Sequence, residues 1–161
     1  MKKLTVLCLI LCTLLSLTGC AFFSDNQAPV NFYYRSRDYL HSNDGSVIVP
    51  EERDASGHIT DLDHLLRLYL MGPYDEELVS PFPKSLQVTD IYPGADTVIL
   101  VLTNDLNTLQ GADRSIACAC LALTCMDITG AESVTLIWEN EILTLDASSL
   151  MLYDNTQQQT E

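Results

Sequence analysis

Thr97-Val98-Ile99-Leu100-Val101-Leu102 is apolar at every position but its first, in a chain of 161 residues with a formal charge of −14. A strand with no polar alternation has both faces covered, so it belongs in the middle of a sheet rather than at its edge. Leu86 to Tyr92 precedes it across Pro93-Gly94-Ala95-Asp96, a connection suited to a hairpin between antiparallel strands. Downstream, roughly Ala112 to Met126 reads as a helix that is apolar almost all round and therefore lies between two surfaces. Ser133 to Trp138 follows as a strand with Val134, Leu136 and Trp138 on one side, and Ile142 to Leu145 offers a returning partner.

Upstream, Leu62, Leu65, Leu66, Tyr69 and Leu70 recur with helical spacing behind Thr60 and Asp63, which have capping-box separation. Gly72-Pro73 stops that helix, Asp75-Glu76-Glu77 is a solvated acidic patch, and Ser80-Pro81-Phe82-Pro83-Lys84 is a stiff spacer. Before it, Val30 to Arg35 is strand-like, Asn43-Asp44-Gly45 supplies a turn ahead of Val47-Ile48-Val49, and Glu51 to His58 reads as an exposed loop. The order is β-α-β-β-α-β. This predicts an α/β fold of the α+β type: a small mixed or antiparallel sheet with two helices on one face. A ferredoxin-like split βαβ shares that order, so it identifies no function.

The N-terminus says where the chain works. Lys2 and Lys3 precede an apolar run from Leu4 to Leu17, and Leu17-Thr18-Gly19-Cys20 has the form of a lipoprotein processing site. As a helix the run would extend about 21 Å, short of the roughly 30 Å hydrocarbon core. Residues 1–19 are accordingly expected to be a signal peptide, and Cys20 the site of lipid attachment. Each acyl carbon contributes about 0.8 kcal/mol, so two or three chains anchor a protein durably. The expected location is the outer face of the cytoplasmic membrane, with residues 20–29 as tether, 30–146 as a single domain and 147–161 as a polar, disordered tail.

Without residues 1–19 the chain keeps 142 residues, enough for one domain. Its 22 acidic side chains then face only six basic ones, a charge of −16. Nucleic acid and anionic headgroups repel such a surface; a charged partner would be basic, although acidity also serves simple solubility. Of six cysteines, Cys8 and Cys12 leave with the signal peptide and Cys20 carries lipid, leaving Cys118, Cys120 and Cys125 in the second helix. Their helical spacing disfavours disulfides, and His41, His58 and His64 offer no metal-ligand pattern beside them. The three cysteines are expected to be core residues, with no metal and no cofactor.

Catalytic equipment is sparse. The sequence has no Gly-x-Ser-x-Gly elbow, phosphate-cradling loop or His-Glu-x-x-His helix. Glu139 and Glu141 flank Asn140 and could pair as glycosidase carboxylates on cell-wall glycan, but carboxylates at a tight turn are usually just solvated. Asp61 and Asp63 suit a helix N-terminus better than calcium, and His64 suits an exposed surface better than a general base. No residue is assigned a catalytic role. A small wall hydrolase and a ligand-capturing lipoprotein remain the alternatives, the latter disfavoured by the lack of a second lobe.

Taken in order, the Phe32-Tyr33-Tyr34 strand, Val49-Pro50-Glu51-Glu52-Arg53, the helix ending in Leu70-Met71-Gly72-Pro73, Ser80-Pro81-Phe82-Pro83, the Leu86 to Leu102 hairpin and Val134 to Trp138 resemble the GerMN domain of sporulation and germination lipoproteins from spore-forming Gram-positive bacteria. That resemblance implies a fold similar to the ring-building motifs of secretion and sporulation channels. It also implies a non-catalytic protein-interaction module of the cell envelope, with sporulation-channel or other envelope proteins as partners. The chain departs from the tandem arrangement in having room for one such domain, and the helix cysteines are no part of the pattern.

Overall fold

The computed structural model describes residues 29–38, 46–54 and 61–150. The expected signal peptide, Cys20, the tether up to Ala28, the Asn43-Asp44-Gly45 turn and residues 151–161 lie outside these. The elements are β1 (Val30–Ser36), β2 (Ile48–Arg53), α1 (Leu62–Leu70), β3 (Leu78–Val79), β4 (Val88–Pro93), β5 (Thr97–Leu102), a 3-10 turn (Asn104–Thr108), α2 (Gly111–Thr129), β6 (Ser133–Trp138) and β7 (Glu141–Asp146). They form the expected mixed α/β architecture, divided between two sheets: β2-β1-β3, wholly antiparallel, and β4-β5-β6-β7, in which only β5 and β6 run parallel.

The parallel pair explains the position of α2. Strands running the same way need a crossover, and α2 supplies it by packing against β6 and β7 on one side and β1 on the other. Its lack of a polar face follows from that position: Ala117, Cys118, Cys120, Leu121, Ala122, Thr124 and Cys125 are all buried. Gly130, at φ 70°, ends the helix in a left-handed cap with its N–H donating 2.8 Å to the Met126 carbonyl. The helix therefore runs three residues past the expected end at Met126. The small residues on α2 let β1 and β6 approach it closely, while Leu100, Leu136, Val98 and Val134 fill the space beneath.

Three expectations change. The Glu51–His58 loop does not begin at Glu51, because Glu51-Glu52-Arg53 completes β2; Glu51 and Arg53 neutralise one another there, which removes the usual cost of charge on a strand. The N-cap of α1 is Asp61, whose carboxylate accepts the His64 N–H at 3.0 Å; Thr60 lies outside the described residues. Strand β5 occupies the middle of its sheet, as expected, but only one face is sealed. Val98, Leu100 and Leu102 are buried, whereas Thr97, Ile99 and Val101 are half-exposed, since no described element covers that side.

Candidate functional site

The sequence-derived candidates separate in the structure rather than converge. Glu139 sits in the β6–β7 turn with φ 51°, and its carboxylate accepts from the Asn107 side-chain amide. The Asn107 carbonyl oxygen in turn accepts the Trp138 indole N–H at 3.0 Å, so this carboxylate pins the hairpin to the 3-10 turn. Glu141 opens β7 opposite Trp138 in the ladder, and both glutamates are exposed at the hairpin tip. That is the geometry of a clamp, in which the Glu139 carboxylate is already engaged by Asn107.

Asp61 and Asp63 serve the start of α1 as expected: the first caps it and the second accepts from Arg67 Nε at 2.8 Å. His64 lies half-buried in the same turn, and His41 and His58 fall outside the described residues. The three cysteines are buried free thiols. Burial pushes Cys118 up to about 11 despite nearby Arg114, Cys120 up to about 12 despite Arg35, and Cys125 up to about 12. Thiols held protonated in this way are poor nucleophiles and poor ligands. Among the described residues no cluster of His, Cys, Asp or Glu could hold a metal ion.

The densest polar assembly lies where β1, β2, α1 and the segment after α1 meet. Tyr34 donates its hydroxyl to the Tyr69 carbonyl at 2.8 Å, and Tyr69 returns the exchange to the Tyr33 carbonyl at 2.6 Å. Burial raises both phenols well above their ordinary range, only partly opposed at Tyr34 by Arg53, so both remain donors. The Arg53 guanidinium pairs with Glu51, donates to the Gly72 carbonyl at 2.8 Å, and lies 3.7 Å from the centre of the Tyr74 ring. Glu51 uses its second oxygen to accept the N–H groups of Tyr74 and Asp75, each at 2.7 Å. Among the described residues no buried side-chain nitrogen or oxygen lacks a hydrogen-bond partner, and the bonds of this assembly all run within the protein, which makes it a structural joint.

What strand patterning did not show is the outer face of the larger sheet. Register places Tyr92 beside Ile99, and Val101, Ile137 and Ile142 in a row across β5, β6 and β7. Tyr92 is 57% and Ile142 71% exposed, while Ile99, Val101 and Ile137 are half-exposed. Asp90 and Asp146 fall on the same face by register, at its two flanks. The signal available in the sequence was Thr97, Ser133, Thr135 and Thr144, whose alternation with buried residues marks the solvent side of each strand.

No protein-family profile matches the chain, and no curated relative does. Among solved structures, the tandem GerMN domains of the sporulation protein GerM from Bacillus subtilis are similar, with a TM-score of 0.50 and 16% identity, over 70% of this chain and 39% of that one. The chain thus spans well under half the length of that protein. A protein from Clostridium perfringens described as a lipoprotein aligns with a TM-score of 0.48 and 12% identity, over 75% of this chain and 88% of its own. The chain has a GerMN-like fold. No helix among the described residues is long and apolar enough to cross a membrane.

Proposed function

We propose that this chain is a lipid-tethered, non-catalytic interaction module of the bacterial cell envelope, working in sporulation or spore germination, with a protein as its partner. The observation that carries the reading is the GerMN-like fold standing behind the Leu17-Thr18-Gly19-Cys20 processing site. The surface described above supports it. The Val101–Ile137–Ile142 row with Ile99 on the same face, open to solvent and flanked by Asp90 and Asp146, suits a protein with an apolar centre and a basic rim. The acidity of the whole chain would steer such a partner toward it.

A photo-crosslinking amino acid in place of Ile142, in sporulating cells, tests the reading. Capture of an envelope protein, abolished when Ile99 is changed to Asp, is the expected result. No captured protein, together with normal sporulation and germination in a deletion strain, overturns it. The anchor is tested separately: Cys20→Ser should release the protein from the membrane fraction and abolish incorporation of labelled palmitate.

A further inference from the structure

Most edges of the two sheets carry features that hinder a further strand. Along β1, beyond the two residues of β3, Thr124 and Asp127 of α2 take the outward N–H groups of Tyr33 and Asn31. In β2, Pro50 stands opposite Tyr33, in a pair whose backbone groups turn outward, and so removes a donor from the exposed edge. Strand β4 has a bulge between Val88 and Asp90 and ends on Pro93. Bulges, prolines and occupied amides are the devices by which sheets refuse additional strands. Strand β7, Glu141-Ile142-Leu143-Thr144-Leu145-Asp146, has none of them.

Register shows which groups this edge presents. Glu139 and Asn140 form a two-residue turn, so the flanking Trp138 and Glu141 exchange ladder bonds, and Leu143 and Leu145 bond β6 in step with them. Ile142 and Thr144 form the alternate pairs, in which side chains lie closer: Thr144 Oγ1 is 2.9 Å from Thr135 Oγ1. The N–H and C=O groups of Ile142 and Thr144 therefore turn away from β6, and among the described residues nothing pairs with them. Both residues are exposed. Beneath the edge, an apolar groove of about 400 Å³ runs between α2 and β7, with Ile116, Ala119, Leu123, Leu143 and Leu145 in its walls. An added strand would set alternate side chains into this groove and the others beside Ile142 on the outer face. Glu141 and Asp146 stand at the two ends of β7. Two copies of β7 pairing antiparallel would bring Glu141 to Asp146 at both ends, like charges that destabilise, whereas lysine or arginine there is complementary. We propose that β7 accepts, as a fifth strand of its sheet, an extended segment of a partner protein that is apolar at alternate positions and basic at both ends. This rests on the protein-binding role proposed above and specifies how the partner is held.

The purified full chain and a labelled peptide, Lys-Val-Thr-Ile-Thr-Val-Lys, carry the test. In the free chain the Ile142 and Thr144 amides should exchange hydrogen fast and those of Leu143 and Leu145 slowly, and the peptide should slow the first two several-fold. N-methylation of the peptide amides at one alternate set of positions should weaken binding about tenfold, read by fluorescence anisotropy, and at the other set should leave it unchanged, since only one set faces β7. Glutamate in place of both lysines should weaken binding about tenfold as well. Failure of the lysine peptide to bind, equal effects of the two methylated sets, or equal affinity for the two end charges overturns the proposal. Protection of Ile142 and Thr144 in the free chain also overturns it, assigning the edge to the chain's own residues in a monomer and to a second copy in a dimer. In cells, Thr144→Pro removes an outward N–H without touching a bond to β6, and slow exchange at Leu143 and Leu145 checks that the hairpin survives. Loss of the cross-link from Ile142 in that variant, with the hairpin intact, is the expected result. A cross-link that persists leaves the protein-binding role standing and removes the β7 edge from it.

Discussion

The two sheets are held by different means. In β4-β5-β6-β7 the strands pair along nearly their whole length, and the stabilising surface is aliphatic: Val98, Leu100, Val134 and Leu136 are all at most 1% exposed. In β2-β1-β3, strand β3 is two residues long, and most of one edge of β1 has no strand beside it. Helix α2 takes that place with side chains: Thr124 Oγ1 accepts the Tyr33 N–H at 2.9 Å, and the Asp127 carboxylate accepts the Asn31 N–H at 2.9 Å. Backbone groups must be satisfied by some partner, and where no strand is available a helix can present hydroxyl and carboxylate acceptors instead. The smaller sheet thus depends on a few irreplaceable polar atoms, whereas the larger depends on area that many residues share.

That contrast predicts a hierarchy of costs. Leu136→Ala, at a fully buried site of the larger sheet, should destabilise by about 4 kcal/mol, read from the denaturant midpoint. Arg53→Met should cost about 3 kcal/mol, since Glu51 would lose its partner in a site where the side chains are only 9% and 11% exposed. Adding Glu51→Gln to Arg53→Met should recover part of the loss, and a double-mutant cycle with no coupling would mean that the joint is not held by this pair. Thr124→Val keeps the shape of the helix face and removes the acceptor for Tyr33, so it should cost about 2 kcal/mol. If Leu136→Ala and Thr124→Val change stability equally, the distinction between the sheets fails. Arg67→Ala, which removes an exposed i,i+4 pair with Asp63, should leave the denaturant midpoint nearly unchanged.

The alkaline limb sharpens the same comparison. Cys120 and Cys125 have folded-state values raised to about 12 from an ordinary 9.0. Between those values the folded chain binds more protons than the unfolded one, so stability is fully present below pH 9 and is lost as pH rises toward 12. Replacing both cysteines with Ala should flatten this decline in the denaturation midpoint. A slope unchanged by the replacement would assign it to tyrosines.

Long periodic segments made the large sheet and both helices legible in the sequence. Thr97 to Leu102 and Ser133 to Trp138 fall at the expected residues, and α2 was readable as a helix between two surfaces because it lacks a polar side. Two things were not legible. Glu51 and Arg53 look like loop residues in one dimension, because only the folded chain brings Tyr74, Asp75 and Gly72 to them. The open outer face was hidden because Ile99 and Val101 are as apolar as their buried neighbours, and composition alone does not distinguish an unfilled face from a filled one. For the candidate site the reverse holds: Glu139 was visible as a carboxylate, but its engagement with Asn107 depends on a contact 32 residues away in sequence.

The acceptors that complete β1 lie 91 and 96 residues downstream of the groups they serve. Synthesised in N-to-C order, β1 must wait, with open amides, until nearly the whole polypeptide has been made. The first of the described strands to be made is therefore among the last to settle, and during that interval it is the natural client for a chaperone.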